Sequence, residues 1–269
     1  MKSRAVRCHD ITGVNLSMRY TESDPASPIN QYDSHTHMEC EICIHLSGDV
    51  SFMVENHLYP VIPGSITITR PYEYHHCIYR SNAIHRHFCI FFTANKIEPL
   101  LNLFYDRELG ENNLLTLPHD ETERLIALCH DYIDRPGTAF EDCYRFFQLI
   151  HMLNHADIHQ INTMIYPDIL SALTYINLHL ADKITVQTLA KQANVSVNTL
   201  ERHFWEKLGM TPSEYMKQKR LAKAFELLAG PYNVTETCEK CGFNDCSAFI
   251  AQFRRVYGMT PLQYKKSLQ

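Results

Sequence analysis

No run of apolar residues in the 269-residue chain approaches the length of a membrane span, and the opening MKSRAVRCHDITG has basic residues with no apolar segment behind them. The expectation is a cytoplasmic chain with no membrane partner. Signs of export are also missing, so the ten cysteines read as reduced thiols, many of them buried as small hydrophobes, and no structural disulfide is expected. An overall excess of positive charge, the usual mark of a nucleic-acid binder, is lacking too: the net charge is −5. What the chain does have is length enough for two domains, each with its own core.

The charge is unevenly placed. From Lys183 onward there are 13 Lys plus Arg against 7 Asp plus Glu, a balance of +6, which leaves 12 against 23, or −11, for residues 1–182. A basic module joined to an acidic one suggests that the C-terminal part meets phosphate while the N-terminal part has another task.

The C-terminal part contains a repeat. GMTPSEY at Gly209–Tyr215 returns as GMTPLQY at Gly258–Tyr264, 49 residues later, and Leu200 and Phe204 match Phe249 and Phe253 in that register. Leu189 and Ala190 match Thr237 and Cys238 at 48, so the second copy holds one extra residue near its turn. Each copy reads as helix, tight turn, helix. In the first, VQTLAKQA is followed by the turn NVS and by VNTLERHFWEKL, with Leu200, Phe204 and Leu208 on one stripe and Ser196 at the N-cap. Gly209 ends that helix; Thr211, Pro212 and Glu214 supply the cap, first turn and capping box of the next. Two short helices about a tight turn form a helix-turn-helix, whose second helix fits the DNA major groove. PSEYMKQKRLAKAFELLAG between the copies predicts a helix roughly 25 Å long, able to hold two such units about one DNA turn apart.

ITVQTLAKQANVSVNTLERHFWEKLGMTPSEYMKQKRLAKAFELL followed by CGFNDCSAFIAQFRRVYGMTPLQYKK resembles the AraC/XylS family of transcription regulators over about the last hundred residues. The resemblance implies DNA contacts at Asn198, Glu201 and Arg202 in the first recognition helix, where Arg suits guanine, Glu cytosine and Asn adenine. In the second helix the corresponding positions are Cys246, Ser247, Ile250 and Ala251. A long polar or basic residue is common near Ala251 in the family, so weak base reading is expected there, with Arg254 and Arg255 on phosphate. Cys238, Cys241 and Cys246 have C-x2-C-x4-C spacing but no evident fourth zinc ligand, and packing accounts for the first two.

The first hundred residues alternate in short strand-like runs, and after about Asp120 helical patterns take over in ETERLIALCHDYID and FEDCYRFFQLIHMLNH. His35, His37, Glu41 and Gly48 fit H-x-H-x3-E-x6-G, and His75 and His76 follow one hairpin later, a pattern that resembles the cupin barrel. The resemblance implies either a divalent-metal enzyme using His35, His37, Glu41 and His75 or His76, or the ligand pocket found in sensor barrels joined to AraC-type domains. The DNA-binding partner favours the sensor. Alternation separates His35, His37, Glu39, Glu41, Cys43 and His45 from Met38, Cys40, Ile42, Ile44 and Leu46, so the polar face could also be merely solvated. Candidate ligand contacts are His35, His37, Glu41, Arg70, Tyr72, Tyr74, His75 and His76, a set suited to hydroxyl-rich molecules such as sugars.

The expected architecture is therefore a two-domain α+β protein: a cupin-like β-barrel followed by helices over residues 1–160, a linker at 161–168, and an all-α domain with two helix-turn-helix units at 169–269. The expected function is a sequence-specific transcription activator responding to a small effector, with duplex DNA and RNA polymerase as partners, and with no catalytic residues, cofactor or assigned metal. A ligand-independent regulator is a further alternative. Phe140, Tyr144, Phe147, Ile150 and Leu153 share a helix face that would serve a homodimer or packing within the domain.

Overall fold

The computed structural model describes residues 2–7, 14–26, 36–94, 100–135, 137–159 and 165–268. Two compact units divide the chain, one assigned Met1–Tyr32 and His37–Thr163, the other Asp33–Thr36 and Met164–Gln269. Strands followed by helices, then an all-helical second unit, is the layout expected from the sequence.

The first unit holds strands β1 (Lys2–Arg7), β2 (Val14–Ser23), β3 (Cys40–Ser47), β4 (Val50–Val54), β5 (His57–Val61), β6 (Ile66–Thr69), β7 (His75–Tyr79), β8 (His85–Ala94), β9 (Leu114–Thr116) and β10 (Asp157–His159). One antiparallel sheet has the order β1-β2-β8-β3-β6-β9-β10 and the other β5-β4-β7. Helix α1 (Asn102–Tyr105) precedes β9, and α2 (His119–Asp134) and α3 (Ala139–Leu153) lie between β9 and β10. The alternation of β3 decides what lies where. Ile42 and Ile44 join Phe88, Ile90 and Phe92 of β8 in a core closed by Leu125, Cys129 and Tyr132 of α2 and by Phe146, Leu149, Ile150 and Leu153 of α3. Each such side chain contributes about 1.5–3 kcal/mol on burial. The other face of β3 turns toward the three-stranded sheet. Gly48 ends the strand at φ 111°, and a Cβ there would lie 2.8 Å from His85 Cα, so only glycine permits this approach.

The shared face expected on α3 is divided by that core. Ile150 and Leu153 are buried within the unit, whereas Phe140 and Tyr144 remain 72% and 59% exposed. A partner helix therefore has the N-terminal half of the stripe available, not the whole of it.

The second unit contains α4 (Pro167–Leu178), α5 (Val186–Gln192), α6 (Val197–Leu208), α7 (Pro212–Ala229), α8 (Val234–Lys240), α9 (Cys246–Tyr257) and α10 (Pro261–Ser267). Residues 161–164 of the expected linker lie outside the described residues, and Pro167 and Asp168 open α4 instead of belonging to a linker. The reason is physical: proline suits a first helical turn, and the buried Asp168 carboxylate accepts a bond from His203 Nδ1 at 2.8 Å. Capping is as the repeat predicts. Ser196 caps α6, Gly209 and Gly258 end α6 and α9 at φ 67° and 73°, and Thr211 with Glu214 and Thr260 with Gln263 form capping boxes. The turn between α4 and α5 is gripped from two sides. Arg220 of α7 donates to Leu180 O (3.0 Å) and Asp182 O (2.7 Å), and Gly242, at φ 74°, brings the α8–α9 turn so close that a Cβ would lie 2.8 Å from Leu180 O and Ala181 O.

One buried ion pair anchors the first unit. The Arg107 guanidinium meets Glu73 in a two-pronged pair at 2.8 and 2.6 Å, both side chains being almost fully enclosed. Glu73 also accepts from the N–H groups of Gly110 (2.7 Å) and Arg70 (3.0 Å) and from Asn113 Nδ2 (3.2 Å). Burial pushes the Glu73 carboxyl up, but hydrogen bonds and charge from Arg107, with the Gly110 and Arg70 amides, outweigh it and hold the group below its ordinary 4.5.

Arg107→Ala or Glu73→Gln, each leaving one partner buried alone, is expected to destabilise the first unit by about 3–5 kcal/mol in denaturant unfolding. Because the folded carboxyl binds its proton less readily than the unfolded one, its contribution is complete above about pH 4.5 and fades as pH falls toward the lower folded value. The stability gap between the wild type and Glu73→Gln should therefore narrow below that pH, and a constant gap would show that the pair is not the cause.

Candidate ligand-binding face and nucleic-acid interface

Antiparallel register arranges the inner face of the first unit in rungs. Glu41 pairs with Thr69 of β6 and Phe91 of β8; Cys43 pairs with Thr67 and Cys89; His45 pairs with His87. Side chains opposite each other in such pairs share a face. His75 reaches the first rung from β7: its Nε2 lies 2.8 Å from Glu41 Oε2, and His37 Nε2 meets the same oxygen at 3.1 Å. The Nδ1 of His75 donates to Glu73 O at 2.7 Å, so the residue that pairs with Arg107 also orients this ring.

Charge on that rung is settled by competition. Burial pushes Glu41 up, yet hydrogen bonds from His37 and His75 together with their charge hold it well below the usual carboxylate range. Burial pushes His75 down, but bonding to Glu41 and the Glu73 carbonyl raises it above its ordinary value. The result is a buried pair in which the carboxylate gives up its proton more readily and the facing His75 ring holds one more firmly. The third rung is different. Desolvation, with repulsion from His87, lowers His45 to about 3 and, with repulsion from His87 and His45, lowers His85 to about 2, so both rings are neutral. They bond to each other at 3.1 Å, His45 meets Thr67 Oγ1 at 3.2 Å, and His85 stacks on His87 at 4.3 Å. Among the described residues, Thr69 Oγ1, His85 Nδ1 and His87 Nδ1 are buried without a hydrogen-bond partner. Leaving such groups unpaired costs about 1–3 kcal/mol each, so this face suits a polar guest.

The predicted ligand contacts are only partly brought together. His37, Glu41 and His75 converge; His35 lies outside the described residues. The two-residue period of β7 sends His76 to the face opposite His75, where its ring meets the enclosed Tyr74 at 5.6 Å. Arg70 is occupied in holding Tyr105 O and Arg107 O, and Tyr72 takes a left-handed turn conformation, φ 65°, with its N–H on His37 O. His76 and Tyr74 thus lie on the opposite face of β7 and the Arg70 guanidinium is spent on carbonyls, while the Tyr72 backbone stays beside His37. The solvated-face alternative fails as well, since Glu41, Cys43 and His45 are all buried. Cys43 was placed on this face but not among the candidate contacts; the residues missed were His85, His87 and Cys89. The every-second-residue pattern of HRHFC at His85–Cys89 was the signal.

On the second unit, Asn198, Glu201 and Arg202 are exposed on α6, with Arg202 Nη1 3.7 Å from Glu206. Trp205, 57% exposed and one turn on from Glu201 and Arg202, belongs to the same surface and was missed. On α9, Ser247, Ile250, Ala251, Arg254 and Arg255 are exposed. Cys246, at the first turn of α9, is half-buried. Cys238 and Cys241 are packed in the core.

Comparison with known proteins agrees with both halves. The family model of the AraC-like ligand binding domain matches residues 27–150, and that of a helix-turn-helix domain matches residues 189–267. A ligand-binding domain joined to paired helix-turn-helix units defines a DNA-binding transcription regulator with its own effector domain. The chain belongs to the AraC family. It is 24% identical to the HTH-type transcriptional activator RhaS of Salmonella schwarzengrund over 88% of this chain and 89% of that one. It is 41% identical to the HTH-type transcriptional regulator YdeC of Bacillus subtilis over 35% of its length, a match spanning 33% of that relative. Among solved structures, the DNA-binding domain of AdpA in complex with a target DNA is 30% identical, with 38% of this chain and 91% of that one covered at a TM-score of 0.36. No helix among the described residues is long and apolar enough to cross a membrane.

Arg202→Ala is expected to cost about 1–3 kcal/mol on a preferred DNA site and to relax selectivity at one position, measured by binding to a panel of single-base variants. Uniform weakening across the panel would make Arg202 a phosphate contact.

Proposed function

We propose that this AraC-family regulator is a cytoplasmic activator, dimeric in solution, whose inner barrel face binds a small hydroxyl-rich effector and thereby alters DNA binding by the second unit. In this reading residues 1–160 sense the effector and residues 169–269 bind DNA. The observation that carries the effector reading is the pair of buried, unpartnered atoms Thr69 Oγ1, beside the Glu41–His37–His75 cluster, and His85 Nδ1, two rungs along the same face. Hydroxyl groups both donate and accept, so a sugar or polyol satisfies neutral imidazoles and a carboxylate at once. Activation, and contact with RNA polymerase, is supported by the activator name borne by the RhaS relatives. The exposed Phe140 and Tyr144 are the surface offered for dimerisation. Base contacts are assigned to Asn198, Glu201, Arg202 and Ser247, with Ile250 beside them and Arg254 and Arg255 on phosphate.

A second reading has one observation in its favour. The ligand atoms of His37, Glu41 and His75 lie within 4.8 Å of one another, and two imidazoles with one carboxylate fit a divalent metal such as iron or manganese. Bound there, such an ion would supply a Lewis acid, and the chain would then be an enzyme. Against this, each imidazole already spends a ring nitrogen on the Glu41 carboxylate, an arrangement that stabilises the cluster by itself.

The test uses the full chain. DNA sequences selected from random duplexes provide the binding site, and a thermal-shift screen of monosaccharides and polyols identifies the effector by its stabilisation of the folded state. Glu41→Gln and His37→Ala are expected to reduce the effector-dependent change in DNA affinity, a coupling of about 1–3 kcal/mol or a few-fold to roughly hundredfold. Stoichiometric iron or manganese lost on His37→Ala, together with turnover of a substrate, would sink the sensor reading.

A further inference from the structure

We propose that Cys43, His87 and Cys89 form a binding site for a thiophilic d10 metal ion, Zn2+ or Cu+, one rung away from the His37–Glu41–His75 cluster. Their ligand atoms lie within 4.8 Å of one another. Metal–sulfur bonds of about 2.3 Å place two thiolates roughly 3.8 Å apart in a tetrahedron, so each donor moves by less than about 1 Å to close on an ion. Cys43 and Cys89 are direct partners in the β3–β8 ladder, and His87 occupies the next inward position of β8, so the donors stand on paired strands and not on loops.

Chemistry and surroundings point the same way. Two sulfurs and an imidazole select Zn2+ or Cu+ over the hard ions that prefer carboxylate and water. His87 is 8% exposed, so the site has a buried imidazole held out of bulk water within reach of the two sulfurs. Its ring is held by the stack on His85, which is tied through His45 to Thr67, the kind of support that fixes a ligating imidazole. Three protein donors leave one tetrahedral position open, as in zinc sites that exchange a ligand and unlike the closed sites that serve structure alone.

The site is independent of the effector reading, because its probe is the metal alone. Full-length protein, purified without metal-affinity resin and kept reduced with a thiol-free phosphine, is titrated with Co2+ and followed by visible and near-ultraviolet absorption. The expected result is one Co2+ per chain with thiolate-to-metal charge-transfer bands and the intense visible bands of tetrahedral coordination, bleached by Zn2+. Competition with a chromophoric Cu+ chelator and with a Zn2+ chelator then shows which ion is held more tightly. Cys43→Ser and Cys89→Ser should each lower the charge-transfer intensity by about half and weaken the preferred ion by more than about tenfold, the double variant should lose the bands, and Cys129→Ala, in the core on the other side of the sheet, keeps them in full. Circular dichroism checks each fold, and His87→Gln, which keeps both thiols, should lose tetrahedral coordination if either serine variant fails to fold. Absence of thiolate charge transfer in the wild type, or its undiminished survival in both serine variants, would overturn the site.

Discussion

Much of the first unit depends on the ion pair between Glu73 and Arg107. A carboxylate and a guanidinium removed from water are tolerable only when every prong is used, and here two amides and Asn113 complete the set. The bonds draw the loop carrying Gly110 and Asn113 against the turn between β6 and β7. Tyr59 adds a bond to Gly110 O, and Asn113 donates to Ile68 O at 2.7 Å, so both sheets are tied to the same knot. The carbonyl of Glu73 then fixes the His75 ring, and His75 fixes Glu41. A chain of three contacts leads from a structural ion pair to the most polar point of the inner face.

That face is graded along the strands. At one end stand the Glu41 carboxylate and the His75 ring, each shifted toward its charged form; at the other, His45 and His85 are neutral because burial and neighbouring rings leave no room for a proton. Between them lie Cys43 and Cys89, directly opposed in the ladder. The opposite face of the same strands is uniformly apolar and closed by α2 and α3. Strand alternation therefore separates a surface whose role is cohesion from one whose role is recognition.

Legibility followed the range of the interaction. The helix-turn-helix units were plain in the sequence because caps, left-handed glycines and capping boxes are settled by residues three or four apart, as at Ser196, Thr211 and Gly258. The pairing of His37 with Glu41 was equally visible in its spacing. Choosing between His75 and His76 required knowing which face of β7 meets β3, a contact across more than thirty residues of chain. Arg70 and Tyr74 have the chemistry of ligand groups, but Arg70 is spent on backbone carbonyls and Tyr74 is enclosed on the far side of β7. The polar face of β3 looked fit for water because its partner sheet, β5-β4-β7, is invisible to local periodicity.

The grip of Arg220 and Gly242 on the α4–α5 turn joins the frame of the first helix-turn-helix to the connecting helix and to the turn of the second, with no intervening flexible tether. The two recognition helices are thereby held by one shared set of contacts, and the spacing between them is set by packing. Inserting a single base pair between their targets rotates one of them by roughly a tenth of a turn, with no protein hinge to absorb it. For such a frame the distance between two DNA targets is part of what is recognised, alongside the letters within them.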